Sequence, residues 1–158
     1  MFKNMSPVLL TTLIAIVVLI VAAPYLRPGS IRDGQVGLEI GVPASHILSA
    51  SPQLPVVVRL HNRTDEDVQL TAETRCKVFR FVVTNSVGTF MQASGTDPAC
   101  ASTAPSGPVS ETLFAGDVRE EIHIVPLSPT RFQPGEYEIQ TKFWGYIATA
   151  PFQLTQAD

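Results

Sequence analysis

Residues 56–84 read VVVRLHNRTDEDVQLTAETRCKVFRFVVT. Apolar and polar residues change places at nearly every step along this stretch. Val56, Val58 and Leu60 share one face, with Arg59 and His61 on the other. The polar run Asn62–Asp67 is a turn. Beyond it Val68, Leu70 and Ala72 alternate with Gln69, Thr71 and Glu73. In Lys77–Thr84, Phe79, Phe81 and Val83 alternate with Val78, Arg80 and Val82. A period of two marks half-buried strands, because successive side chains of a strand point to opposite faces.

Outward from this stretch the same grammar continues. Asn85–Gly88 is a hairpin turn leading into a strand at Thr89–Gln92. Glu111–Phe114 is short, and Ala115–Asp117 turns into Arg119–Val125, where Ile122 and Ile124 alternate with Glu121, His123 and Val125. Pro134-Gly135 opens a strand that reaches Trp144, with Tyr137, Ile139, Thr141 and Phe143 on one face. Thr149–Thr155 closes the chain, and Pro151 marks an edge or a bulge. On the N-terminal side Leu38–Val42 is a strand stopped by Pro43, and a short edge strand is expected at Ile47–Ala50. Turn signals every 8–12 residues imply an immunoglobulin-like Greek-key β-sandwich of about seven to nine strands. Pro134, Gly135 and Tyr137 have the form of a tyrosine corner, the alternative being that Tyr137 is an ordinary core aromatic.

Several of these residues also resemble a family pattern. A strand ends at His61-Asn62 before the polar turn, and a Phe-rich strand, Phe79–Thr84, runs through Gly88 towards Ser94. Glu111-Thr112-Leu113-Phe114-Ala115-Gly116 and Pro134-Gly135-Glu136-Tyr137 follow. Together they resemble the BsuPI-type intracellular proteinase inhibitor family. The resemblance implies an immunoglobulin-like domain and, as an activity, proteinase inhibition. It departs from the family at Phe90-Met91-Gln92, where a Trp-containing segment is usual.

Residues 7–26 read PVLLTTLIAIVVLIVAAPYL and carry no charge. A run of this length as a helix spans a hydrocarbon core of roughly 30 Å. The expected organisation is a cytoplasmic tail at 1–6, a transmembrane helix at 7–26, a tether at 27–37 rich in Pro, Gly and Ser, and the sandwich at 38–158. The competing expectation is a signal peptide cleaved after Ala23, opposed by Pro24 and by the length of the apolar run. The short tail and the two cysteines place the C-terminal domain in the periplasm of a bacterial inner membrane. Cys76 and Cys100 are the two cysteines, and an even count in an exported domain implies one disulfide. Two free buried thiols are the alternative.

Net charge is −3, which gives no electrostatic support to nucleic-acid binding. His46, His61 and His123 have no partner at a metal-ligand spacing, and His61 and His123 are expected on outer strand faces. No catalytic motif, metal site or cofactor is expected. The expected role is therefore a non-enzymatic, single-pass membrane protein: a structural or accessory subunit of a respiratory, photosynthetic or envelope complex. Its partners are the lipid bilayer and subunits of that complex. Candidate contacts are the small-residue loop from Ser94 through Pro98 and Pro105 to Ser110, and the aromatics Phe143, Trp144 and Tyr146. The alternative is an anchored BsuPI-like inhibitor whose partner is a protease.

Overall fold

A computed structural model describes residues 34–48, 52–94 and 107–156. The segments 1–6 and 7–26, and Pro98, Cys100 and Pro105, lie outside the described residues. Among the described residues no helix is long and apolar enough to cross a membrane.

Ten strands follow in order: β1 (Val36–Gly41), β2 (Ser45–Leu48), β3 (Gln53–Asn62), β4 (Val68–Ala72), β5 (Phe79–Asn85), β6 (Phe90–Ala93), β7 (Val109–Leu113), β8 (Val118–Pro126), β9 (Gly135–Phe143) and β10 (Tyr146–Gln156). The count exceeds the expected seven to nine. Pro43 separates β1, which joins one sheet, from β2, which joins the other. β1 also starts inside the segment expected to be tether. Gly34 donates to the Arg63 carbonyl and Arg63 to that of Gln35, which extends the pairing of β1.

The sheets are β1-β3-β8 and β2-β10-β9-β5-β6, with β4 and β7 as a separate two-stranded ribbon. With the strands of a constant-type immunoglobulin domain lettered in order, these correspond to A-B-E and G-F-C, an immunoglobulin-like sandwich. β3 is the centre of the smaller sheet. Its Leu54, Val56, Val58 and Leu60 are wholly buried. They meet Val83 of β5, Ile139 and Phe143 of β9, and Phe152 and Leu154 of β10 in one core. Each such side chain contributes about 1.5–3 kcal/mol by leaving water.

The corner before β9 is closed by Tyr137. Its hydroxyl donates to the Gln133 carbonyl at 2.8 Å and accepts from the Gln133 N–H at 3.2 Å. Its ring packs edge-on against Phe132 and stacks on Phe152. Asn62 locks the opposite end. Its amide donates to the carbonyls of Glu66, Leu113 and Phe114 at 2.8, 3.1 and 3.1 Å, and its oxygen accepts from Thr64. Asn62 is 1% exposed, so its side chain is part of the fold's interior, while the next residue, Arg63, is exposed.

Two expectations are corrected. Phe143 and Trp144 are not surface aromatics: they are 0% and 5% exposed. The chain reverses at Trp144-Gly145, both with positive φ (49° and 94°), pairing Phe143 with Tyr146. Such a two-residue turn carries the indole inward. His123 is not on an outer face either. Register sets Val56 opposite His123 and Val57 opposite Ile122. Because Val56 faces the core, so does His123, and Ile122 is turned outward.

Candidate interaction surface

That register gives the smaller sheet an unusual outer face. Pro55 stands opposite Ile124, and Val57 opposite Ile122. Ile122 is 54% and Ile124 55% exposed, with Val118 at 51% further along the same strand face. Beside this apolar block the face is ionic. Arg59 pairs with Glu120 across the strands, and His61 Nε2 lies 3.1 Å from Glu39 Oε2. The outer face is thus half apolar and half charged. The larger sheet turns Arg80, Thr84, Glu138, Gln140, Lys142, Thr149 and Gln153 outward, together with the exposed apolar residues Ile47, Val82, Phe90 and Ile147. Both faces thus carry exposed apolar side chains, and what sets Ile122 and Ile124 apart is that they lie two residues apart on one strand face beside Pro55 and Val57.

The inner face of β8 is polar where a core strand would be aliphatic. Arg119 bridges Glu111 of β7 at 2.7 Å and Glu121 at 2.9 Å. His123 Nε2 approaches Glu121 at 3.3 Å. The His123 ring lies on Phe79 and meets Phe143 edge-on. Burial pushes the His123 pKa down, opposed by Glu121. Inward charges on an edge strand are a device against indiscriminate pairing.

The remaining candidate residues are placed as follows. Ser94 directly follows β6 and is held twice: its N–H donates to the Phe81 carbonyl at 2.8 Å, and its hydroxyl accepts from the Phe81 N–H at 3.0 Å. It is a lock on the sheet edge and not a free loop residue. Tyr146 is half-buried at the start of β10. Cys76 sits half-buried in a 3₁₀ turn, Arg75–Lys77, ahead of β5 and is not a free thiol. The central part of the loop read as a contact or inhibitory loop, 95–106, lies outside the described residues. Among the described residues no group of three or more His, Cys, Asp and Glu side chains could hold a metal ion. A groove of about 540 Å³ lies near the turn after β5, lined among others by Thr84, Glu136, Glu138 and Gln153.

The aliphatic block was missed in the sequence because Ile-x-Ile in β8 reads as core. The signal that could have found it is His123 and Glu121 sharing a face with Val125, which makes either face of this strand a compromise.

No protein-family model and no curated protein sequence matches the chain. Similar solved structures include a β-glucosidase from Listeria innocua in complex with glucose, at 12% identity and a TM-score of 0.45, covering 76% of this chain and 16% of that one. A CARDB domain from Pyrococcus furiosus in complex with di-metal ions is similar at 11% identity and a TM-score of 0.41, covering 82% of this chain and all of that one. A β-glucosidase from Erythrobacter marinus is similar at 16% identity and a TM-score of 0.41, covering 82% and 18%. The chain thus spans less than a fifth of the length of either glucosidase.

Proposed function

We propose that the chain is a membrane-anchored, non-enzymatic docking domain, a structural or accessory subunit of a bacterial inner-membrane complex. In this reading residues 7–26 hold it in the bilayer and the sandwich stands in the periplasm. The observation that carries the reading is the exposed pair Ile122 and Ile124 on the outside of β8, flanked on β3 by half-buried Pro55 and by Val57, which is 9% exposed. Exposed aliphatic side chains gathered on one face are held in water at a cost that a protein partner relieves. The resemblance to BsuPI-type domains supports the sandwich and names no partner, because the residues that carry it are turns and corners. A disulfide between Cys76 and Cys100 belongs to the same reading; that Cys76 is not a free thiol supports it.

The test is the native size of the full-length protein after extraction in a mild detergent. The wild type is expected in an assembly larger than one copy. Replacing Ile122 and Ile124 together by Lys is expected to release it, and Gln140→Lys on the opposite face to leave it assembled. A wild type recovered as a lone copy overturns the reading.

A further inference from the structure

The cations of this domain that are not tied to a partner gather at one end of the larger sheet. Arg59 pairs with Glu120, Arg119 with Glu111 and Glu121, Arg131 donates to the Met91 carbonyl, and Arg63 is not free either. Arg75, Arg80 and Lys142 are exposed and have no carboxylate within ion-pair distance among the described residues. Arg80 of β5 stands directly opposite Lys142 of β9, and Lys142 directly opposite Ile147 of β10, which is 60% exposed. Arg75 and Lys77 lie in the 3₁₀ turn that leads into β5. Glu73 pairs with Lys77, and its charge also acts on Lys142. Like charges directly opposite across a strand pair cost stability, and an anionic partner relieves that cost.

This is the end at which the chain enters the sandwich. β1 and β8 both run antiparallel to β3. His123 of β8 lies on Phe79, and Gln92, opposite Val83, donates to the Pro126 carbonyl, so β8 and β5 run the same way. β10 runs with β5, since both are antiparallel to β9. β1, β5 and β10 therefore start at one end, with Val36, Phe79 and Tyr146. In the anchored reading only residues 27–33 separate the transmembrane segment from Gly34, and an extended chain of that length reaches no more than about 25–30 Å. We propose that the basic end of β5 and β9 rests on the anionic phospholipid headgroups of the membrane that holds residues 7–26. The proposal rests on the anchored reading above.

Charge decides which side of the sandwich leans down. Along β9 the outward residues run Glu136, Glu138, Gln140, Lys142, so acid points away from the bilayer and base toward it. Asp65, Glu66 and Asp67 follow β3 at the same end as Val36, beside the smaller sheet. An anionic surface repels that side and attracts the other. Ile122 and Ile124 are thereby left facing away from the bilayer, open to a protein. The cations stand on a pleated face and not in a hollow, since the groove lined by Glu136 and Glu138 lies at the other end of that face. A layer of headgroup phosphates fits such a face, whereas a small anion needs a concave site.

The experiment uses full-length protein reconstituted into vesicles of phosphatidylcholine alone, or of phosphatidylcholine with phosphatidylglycerol as a minor component. A fluorescent side chain replaces Ile147 or, in the turn after β5 at the opposite end, Val87, and quenching by spin-labelled lipid is read. Quenching at 147 is expected to be strong in the anionic vesicles and weak in the neutral ones, and absent at 87 in both. Salt at about 0.5 M, where charges are screened beyond about 4 Å, is expected to release it. Arg80→Gln together with Lys142→Gln is expected to lower the contact equilibrium by about thirtyfold, the worth of two cations at an anionic surface. Arg80→Lys is expected to keep the contact, and so is Arg131→Gln, which removes a cation at the opposite end. Equal quenching at 147 in both vesicles, or none, would overturn headgroup contact and leave the anchor standing. No quenching at 147, with a protein lost from native membranes in the Arg80→Gln, Lys142→Gln variant, would overturn it in favour of an acidic protein. Full-length protein retained by neither vesicle would overturn the anchored reading as well.

Discussion

The ring of His123 lies flat on that of Phe79, with centroids 3.7 Å apart and planes 6° from parallel. The pair ties edge strand β8 of one sheet to β5 of the other. Phe143 meets the same imidazole edge-on at 5.9 Å. A histidine in this position serves as an aromatic wedge, while Glu121 supplies the one carboxylate close to its Nε2, itself shared with Arg119.

A pH dependence follows. Burial holds the His123 pKa below its usual 6.5, the opposing pull of Glu121 being smaller. Below that value the unfolded chain takes up a proton that the folded chain resists. The contribution of His123 to stability is therefore complete above about pH 6.5 and is lost as the pH falls through the gap between the two values. His123→Phe keeps the stack on Phe79 and removes the titration. Thermal unfolding between about pH 7 and pH 5 is expected to show a smaller fall in Tm for the variant than for the wild type. An equal fall in both would assign the acid sensitivity elsewhere.

Asn62 gathers three carbonyls from two separate turns with a single amide. Asn62→Ala removes the amide that ties these carbonyls together at a 1% exposed site, although the Glu66 carbonyl keeps the Thr64 hydroxyl and the Phe114 carbonyl keeps the Asp117 N–H. The expected loss is about 2 kcal/mol, the scale of one or two buried hydrogen bonds lost. Asn62→Asp is expected to be no better, because a carboxylate cannot donate to carbonyls. Denaturant unfolding of the variants checks both, and a loss under about 1 kcal/mol would show that the corner is held by other contacts.

Thr141 is wholly buried in β9, and its hydroxyl has no hydrogen-bond partner. Valine has nearly the same shape without the polar atom. Thr141→Val is therefore expected to raise stability by about 1 kcal/mol, the scale of the desolvation cost of an unpaired hydroxyl. The same unfolding measurement decides it. A decrease would mean that the hydroxyl is satisfied in solution.

Much of this architecture is legible in the sequence, and the reasons are local. Val56, Val58 and Leu60 announce β3 by alternation alone. The Pro134-Gly135-Glu136-Tyr137 run signals the corner that Tyr137 closes on Gln133, because a short turn fixes where that hydroxyl can reach. What is not legible depends on distant residues. β8 alternates Ile122 and Ile124 with Glu121 and His123, so its pattern permits either face inward. The register with β3 decides, and that register is a contact between residues 57 to 73 positions apart. Trp144 misleads for a different reason. A Trp with positive φ is rare, and here burial of the side chain at 5% exposure and the bond from the Trp144 backbone N–H to the Val78 carbonyl at 2.8 Å accompany the turn. Phe143 and Trp144, expected at a binding surface, are thus core, Tyr146 is half-buried, and Ile122 and Ile124, whose spacing reads as core, are exposed.

The most direct measurement is position-specific photo-cross-linking in intact membranes, with the reactive side chain placed in turn at 122, 124 and 140. Cross-links at a defined product mass are expected from positions 122 and 124 on the face of β8. None is expected from position 140 on the outer face of β9. Cross-links from 140 alone, or none from 122 and 124, would contradict a docking role for the β1-β3-β8 face.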